Sequence, residues 1–83
     1  MDNRIALIGI IVESDGNDSI DQLNDILHAY GKVIIGRMGI PYREKGVNII
    51  SIVVDAPNDV VSSLAGKIGA LKNVSVKTMV AKR

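Results

Sequence analysis

Ile5–Ala6–Leu7–Ile8–Gly9–Ile10–Ile11–Val12 is an apolar run of eight residues between Arg4 and Glu13. It is short and rich in β-branched side chains, and a turn cluster, Ser14–Asp15–Gly16–Asn17–Asp18, follows it. This predicts a strand over Arg4–Glu13. Beyond the turn, Ile20, Leu23, Leu27 and Tyr30, with Ile26 beside them, recur at the 3.6-residue period of one helix face. Asp18 is the expected N-cap, Asp21 and Asp25 favour the early turns, and Gly31 is the expected stop. Lys32–Tyr42 predicts a second strand interrupted by Gly36, Gly39 and Pro41, closed by the polar turn Arg43–Glu44–Lys45–Gly46. Val47–Asp55 predicts a third strand. A second helix opens at Ala56–Pro57–Asn58–Asp59, with Val60, Val61, Leu64, Ala65, Ile68 and Leu71 as its apolar face. Lys72–Asn73 breaks it, and Val74–Ala81 predicts the last strand.

The predicted order is βαββαβ. The two βαβ halves of that order close into an α+β ferredoxin-like sandwich, a four-stranded antiparallel sheet with two helices on one face, spanning residues 1–83 as one domain. The expected strand order is 4-1-3-2. Strands one and three are the most continuously apolar, as central strands should be. Pro41 lies in strand two, and a proline lacks the N–H that an inner strand must donate. Lys77 and Lys82 mark the other edge, where charge discourages pairing with another chain.

The composition sharpens this. Of 83 residues 47% are apolar, yet Tyr30 and Tyr42 are the only aromatics, and the mean hydropathy is +0.25. That is high for a chain with so much surface for its volume. There is no cysteine, hence no disulfide framework, thiolate metal site or cysteine nucleophile. No apolar run approaches the ~20 residues of a membrane span. The first run starts too near Met1, with too little basic charge before it, for a signal peptide. A cytoplasmic location is expected. Net charge is +1 but uneven: residues 1–30 carry one base against six acids, residues 31–83 nine bases against three acids.

Placed on strands, the apolar excess falls on both faces of the sheet. Ile5, Leu7 and Ile11 point one way and Ala6, Ile8, Ile10 and Val12 the other; Val47, Ile49 and Val53 oppose Ile50, Ile52 and Val54. An ordinary two-layer monomer leaves one face for water and alternates accordingly. We therefore expect a homodimer or homotetramer, with a second copy covering the open face or extending the sheet at an edge. The expected contact set is Ile8, Ile10, Ile50 and Ile52, with Gly66 and Gly69 as a strip on the outer side of the second helix that permits close approach.

Two places suit a small ligand. The turn Asp15–Gly16–Asn17–Asp18 sits where a strand hands over to a helix, and its carboxylates favour a molecule bearing an amino group, such as an amino acid. Arg37 and Arg43 bracket Met38–Tyr42, and arginine suits carboxylate or phosphate recognition. Turn chemistry alone explains the first group, and pairing with acids of another copy competes for the second. Odd-numbered Arg37, Gly39, Pro41 and Arg43 share one strand face if no bulge intervenes. His28 is the single histidine, off the apolar stripe, and is expected in solvent; no metal site or cofactor is expected. No serine–histidine–aspartate spacing, P-loop, acylphosphatase-type loop or Cys-x-x-Cys occurs, so no catalytic residues are assigned. Direct nucleic-acid binding is not expected either, for want of a helix-turn-helix and aromatic platforms and with little net charge.

Arg37–Met38–Gly39–Ile40–Pro41–Tyr42–Arg43–Glu44, Leu64–Ala65–Gly66–Lys67–Ile68–Gly69 and Val74–Ser75–Val76–Lys77–Thr78 carry a family resemblance. The chain resembles the small stand-alone ACT-like family of regulators of the iron-only hydrogenase system. The resemblance implies an ACT-like ferredoxin fold and oligomerisation. The architecture is also similar to the C-terminal domain of the nickel-responsive repressor, which holds nickel through several histidines and one cysteine. With His28 alone and no cysteine, nickel binding is not carried over, nor is that repressor's DNA-binding segment, since the first strand begins by Arg4. The expected function is a non-enzymatic, oligomeric module that senses a small ligand. The alternative is a purely structural assembly subunit without a ligand.

Overall fold

A computed structural model describes residues 2–13 and 17–82, the side chains of 17 and 18 excepted. The chain runs β1 (Asn3–Glu13), α1 (Asn17–Ala29), β2 (Ile34–Tyr42), β3 (Val47–Pro57), α2 (Asn58–Gly69) and β4 (Val74–Val80). The strands form one antiparallel sheet in the order β2-β3-β1-β4. This is the βαββαβ ferredoxin-like sandwich, with β1 and β3 central and Pro41 on an edge. β1 and β3 pair without interruption from Asn3↔Pro57 to Glu13↔Val47, the longest ladder in the sheet. Two β-branched runs, each with no proline inside, permit that continuity.

Both helices cover the face bearing the even-numbered residues of β1 and β3. Ala6, Ile8, Ile10 and Val12 meet Ile50, Ile52, Val54 and Ala56 there, under Leu23 and Leu27 of α1 and Val61, Leu64 and Ile68 of α2. All are buried. Gly31 follows α1 as expected, but without the left-handed conformation a glycine commonly takes after a helix: its φ is not positive, and its N–H bonds the His28 carbonyl at 3.1 Å in a tight turn. Gly46, at φ 63°, closes the 3-10 turn Arg43–Lys45 in a left-handed conformation that favours glycine. Asn73, at φ 61°, makes the reversal from α2 into β4; asparagine is among the few side chains that tolerate it.

A β-bulge between Ile34 and Gly36 resets the alternation of β2. Arg37 then pairs with Ile52, Gly39 with Ile50 and Pro41 with Asn48, so these three face the helix side; Met38, Ile40 and Tyr42 join the open face. Among the described residues no helix is long and apolar enough to cross a membrane.

Candidate functional site

The helices cover β1 and β3 but leave most of β2 bare, even on their own side. Only Ile34 in that strand is partly buried. The uncovered strip beside α1 forms two adjoining hollows of about 350 and 280 Å³ that share Asn24 and Arg37. His28 and Gly31 flank the first, and Asn48, Pro41 and Gly39 the second. The floor is aliphatic, from Leu27 and Ile34 in one hollow and Ile20 and Ile50 in the other. Gly39 keeps the second open: a Cβ there would touch Ile50 Cγ1 at 4.0 Å and intrude into the space. Chemically this is an aliphatic groove with a guanidinium and two carboxamides on its walls. Such a set recognises a small molecule with a carboxylate or phosphate at one end and an apolar body.

Arg37 and Arg43 are not brought together. β2 ends at Tyr42, and Arg43 starts the 3-10 turn, so the expected common strand face stops at Pro41. Arg43 lines a third hollow of about 320 Å³ with Tyr42, Gly46 and Val47, which meets the second Arg37 hollow only at Pro41 and Asn48, and the Tyr42 hydroxyl beside it donates to Glu44 Oε2 at 3.3 Å. Asp15 and Gly16 lie outside the described residues, as do the side chains of Asn17 and Asp18. What brackets that loop is described: the Glu13 N–H donates to the Asn73 carbonyl at 2.9 Å, and the buried Ser19 hydroxyl to the Lys72 carbonyl at 2.6 Å. Both bonds tie the β1–α1 connection to the loop after α2.

The expected contact set needs correction. Ile8, Ile10, Ile50 and Ile52 lie beneath the helices, at 8% exposure or less, so another copy on the open face cannot reach them. Gly69 is spent within the chain: a Cβ on it would meet Val76 Cγ1 at 3.0 Å, because the end of α2 packs closely on β4. Gly66 faces open space. The open face instead carries Ile5, Leu7, Ile11, Met38, Ile49 and Met79, all exposed. A signal for the right choice was present: Gly9, Glu13, Ser51 and Asp55 all occupy odd positions, and helices cover an uninterrupted aliphatic surface in preference to one broken by small and charged residues.

On the outer surface, Tyr30 and Ser63 join the helices through a hydroxyl–hydroxyl bond of 3.0 Å, with Lys67 Nζ 5.2 Å from the Tyr30 ring centroid. The Ser63 hydroxyl, with the Lys67 ammonium, holds the Tyr30 phenol below its ordinary pKa. No three metal-ligating side chains gather among the described residues.

Comparison with known proteins places this geometry. A search of curated proteins finds no match. Among solved structures, an uncharacterized Thermotoga maritima protein, TM1266, superimposes with a TM-score of 0.93 at 34% identity, over 98% of this chain and 100% of that one. The ACT domain of the Chlorobium tepidum GTP pyrophosphokinase matches at 0.75 and 19% identity, over 93% and 99%. The C-terminal domain of the Mycobacterium tuberculosis MgtC protein matches at 0.68 and 7%, over 98% and 90%. The last two share the fold alone. The family model described as "Iron-only hydrogenase system regulator, putative" matches residues 4–78, and the chain therefore belongs to this TM1266-like family, with an ACT-like ferredoxin fold.

Proposed function

We propose that this chain is a non-enzymatic regulatory module of the cytoplasm, working as a homo-oligomer that senses a small molecule. The groove beside α1 carries the proposal: it is preformed, aliphatic at its floor, and presents Arg37 between Asn24 and Asn48. An amino acid or similar small acid fits that chemistry, its carboxylate on Arg37 and its apolar part on Ile20 and Ile50. The family's description as a regulator supports the reading. Regulation would be a population shift: the ligand binds one arrangement of subunits better than another, and a partner reads the difference.

A thermal-shift screen of amino acids, nucleotides and divalent metals tests this. A ligand at a hundred times its Kd stabilises by about 2.7 kcal/mol. For a chain of this length that is roughly 10–20 °C in Tm. Arg37→Ala should abolish the shift for an anionic hit and leave the unliganded Tm within a few degrees. No response across the panel would overturn the sensing role and leave the assembly subunit as the reading.

A further inference from the structure

The open face of the sheet is an apolar surface that the groove does not use. Ile5, Leu7, Ile11, Met38, Ile49 and Met79 each leave between 38% and 66% of their surface exposed there. With Ile40 and Tyr42 beside them, they present on the order of 700 Å² of apolar surface, above the few hundred usual on a monomer and close to one partner's share of a stable dimer. Charge is confined to Lys77 on β4 and to Glu13 and Asp55 near the strand ends.

The face is also shaped. Gly9 has no side chain, its ladder partner on β3 is Ser51, and Ser75 lies nearby opposite Ile11. Together they open a depression of about 270 Å³ in the middle of the sheet, rimmed by Ile11, Ile49 and Lys77. The most exposed large apolar side chains of the face are the methionines, Met38 at 63% and Met79 at 66%. Unbranched and adaptable, they are suited to fill an irregular apolar seat. A surface that carries both a seat and matching knobs meets the requirement of a two-fold interface, in which each copy gives what it receives.

The edges are poor alternatives. β2 is bulged at Ile34–Gly36 and carries Pro41, which cannot donate. β4 paired with itself about its midpoint would set Lys77 directly against Lys77 of the second copy. We propose that a second copy of this chain covers the open face, sheet against sheet, with a methionine of each copy seated at Gly9 of the other. This rests on the self-association proposed above and names the surface responsible for it.

Light scattering on the full chain across 1–100 µM, with circular dichroism to verify folding, tests it. The wild type should be at least dimeric. Ile11→Lys, which places a charge on the open face and leaves the helix-covered core untouched, should weaken association at least a hundredfold. Gly9→Ile fills the seat; its Cβ meets nothing nearer than the Lys77 carbonyl oxygen at 3.9 Å, so the backbone has room for a side chain there, and association should fall at least tenfold. A monomeric wild type overturns self-association and the face together. An oligomeric wild type whose mass is unchanged in a folded Ile11→Lys or Gly9→Ile overturns the face alone. Neither result bears on ligand binding at Arg37, which the thermal-shift screen reads separately.

Discussion

The two faces of the sheet are both aliphatic, yet they differ in continuity. On the covered face every position of β1 and β3 from Ala6 to Val12 and from Ile50 to Ala56 carries a buried aliphatic side chain. On the open face the same strands alternate large residues with Gly9, Ser51 and Asp55. The helices lie on the uninterrupted face because close packing rewards continuous contact and a missing side chain forfeits it. Hydropathy alone does not separate the two faces. The distribution of small residues does.

The largest effect that tests this contrast comes from truncating one isoleucine on each face. Ile8→Ala leaves a cavity in a fully buried site and should cost about 2–5 kcal/mol. Ile11→Ala, at 43% exposure, should cost about 1 kcal/mol or less in dilute solution. Urea unfolding at sub-micromolar protein measures both. Repeating it at high concentration sharpens the comparison. If the open face is an interface, the cost of Ile11→Ala rises with concentration, as mass action requires, while that of Ile8→Ala does not. Equal costs at every concentration would erase the distinction between the faces.

Much of this architecture was legible in the sequence. The order of the elements follows from periodicity and the Gly, Pro and Asn breaks, and Pro41 places β2 at an edge; their limits follow less closely, since α1 begins at Asn17, ahead of the expected cap Asp18, β2 begins at Ile34 and not Lys32, and β3 runs on past Asp55 to Pro57. The choice of face was harder, because both sets of alternate positions satisfy an apolar pattern and only Gly9, Glu13, Ser51 and Asp55 tell them apart. The bulge at Ile34–Gly36 was not legible: a Val–Ile–Ile–Gly run reads as plain strand. The Arg37 groove was only half legible. Arg37 stood out by type, but Asn24, His28 and Asn48 join it only because α1 stops short of covering β2, a fact of tertiary packing.

A smaller effect separates the inner and outer sides of the helical layer. Gly66 and Gly69 read alike in sequence, yet one faces solvent and the other Val76. Gly66→Ala should stabilise by about 0.8 kcal/mol, the helix-propensity difference, or roughly 4 °C in Tm. Gly69→Ala should fall short of that gain, because its methyl group would sit 3.0 Å from Val76 Cγ1 and the end of α2 must give way. Scanning calorimetry on the two variants decides it. Equal gains would mean that the end of α2 does not press on β4.

The smallest effect lies on the outside of that layer, where Tyr30, Ser63 and Lys67 meet. When the phenol ionises, the Ser63 hydroxyl must donate to it, and the Lys67 charge stabilises the anion; both favour ionisation in the fold over the unfolded chain. Because the folded pKa is the lower one, the stabilising contribution is complete above the unfolded value and is lost as pH falls through the folded one. It is therefore confined to alkaline solution. In a Tyr42→Phe background, which leaves Tyr30 as the only tyrosine, ultraviolet titration should find the phenol below its ordinary pKa. Ser63→Ala should move it upward, and Lys67→Met should do the same. An ordinary titration in the background protein, unmoved by either change, would mean that the two helices are not joined on this side, and that burial beneath them, on the even-numbered face of the sheet, is what holds the layer in place.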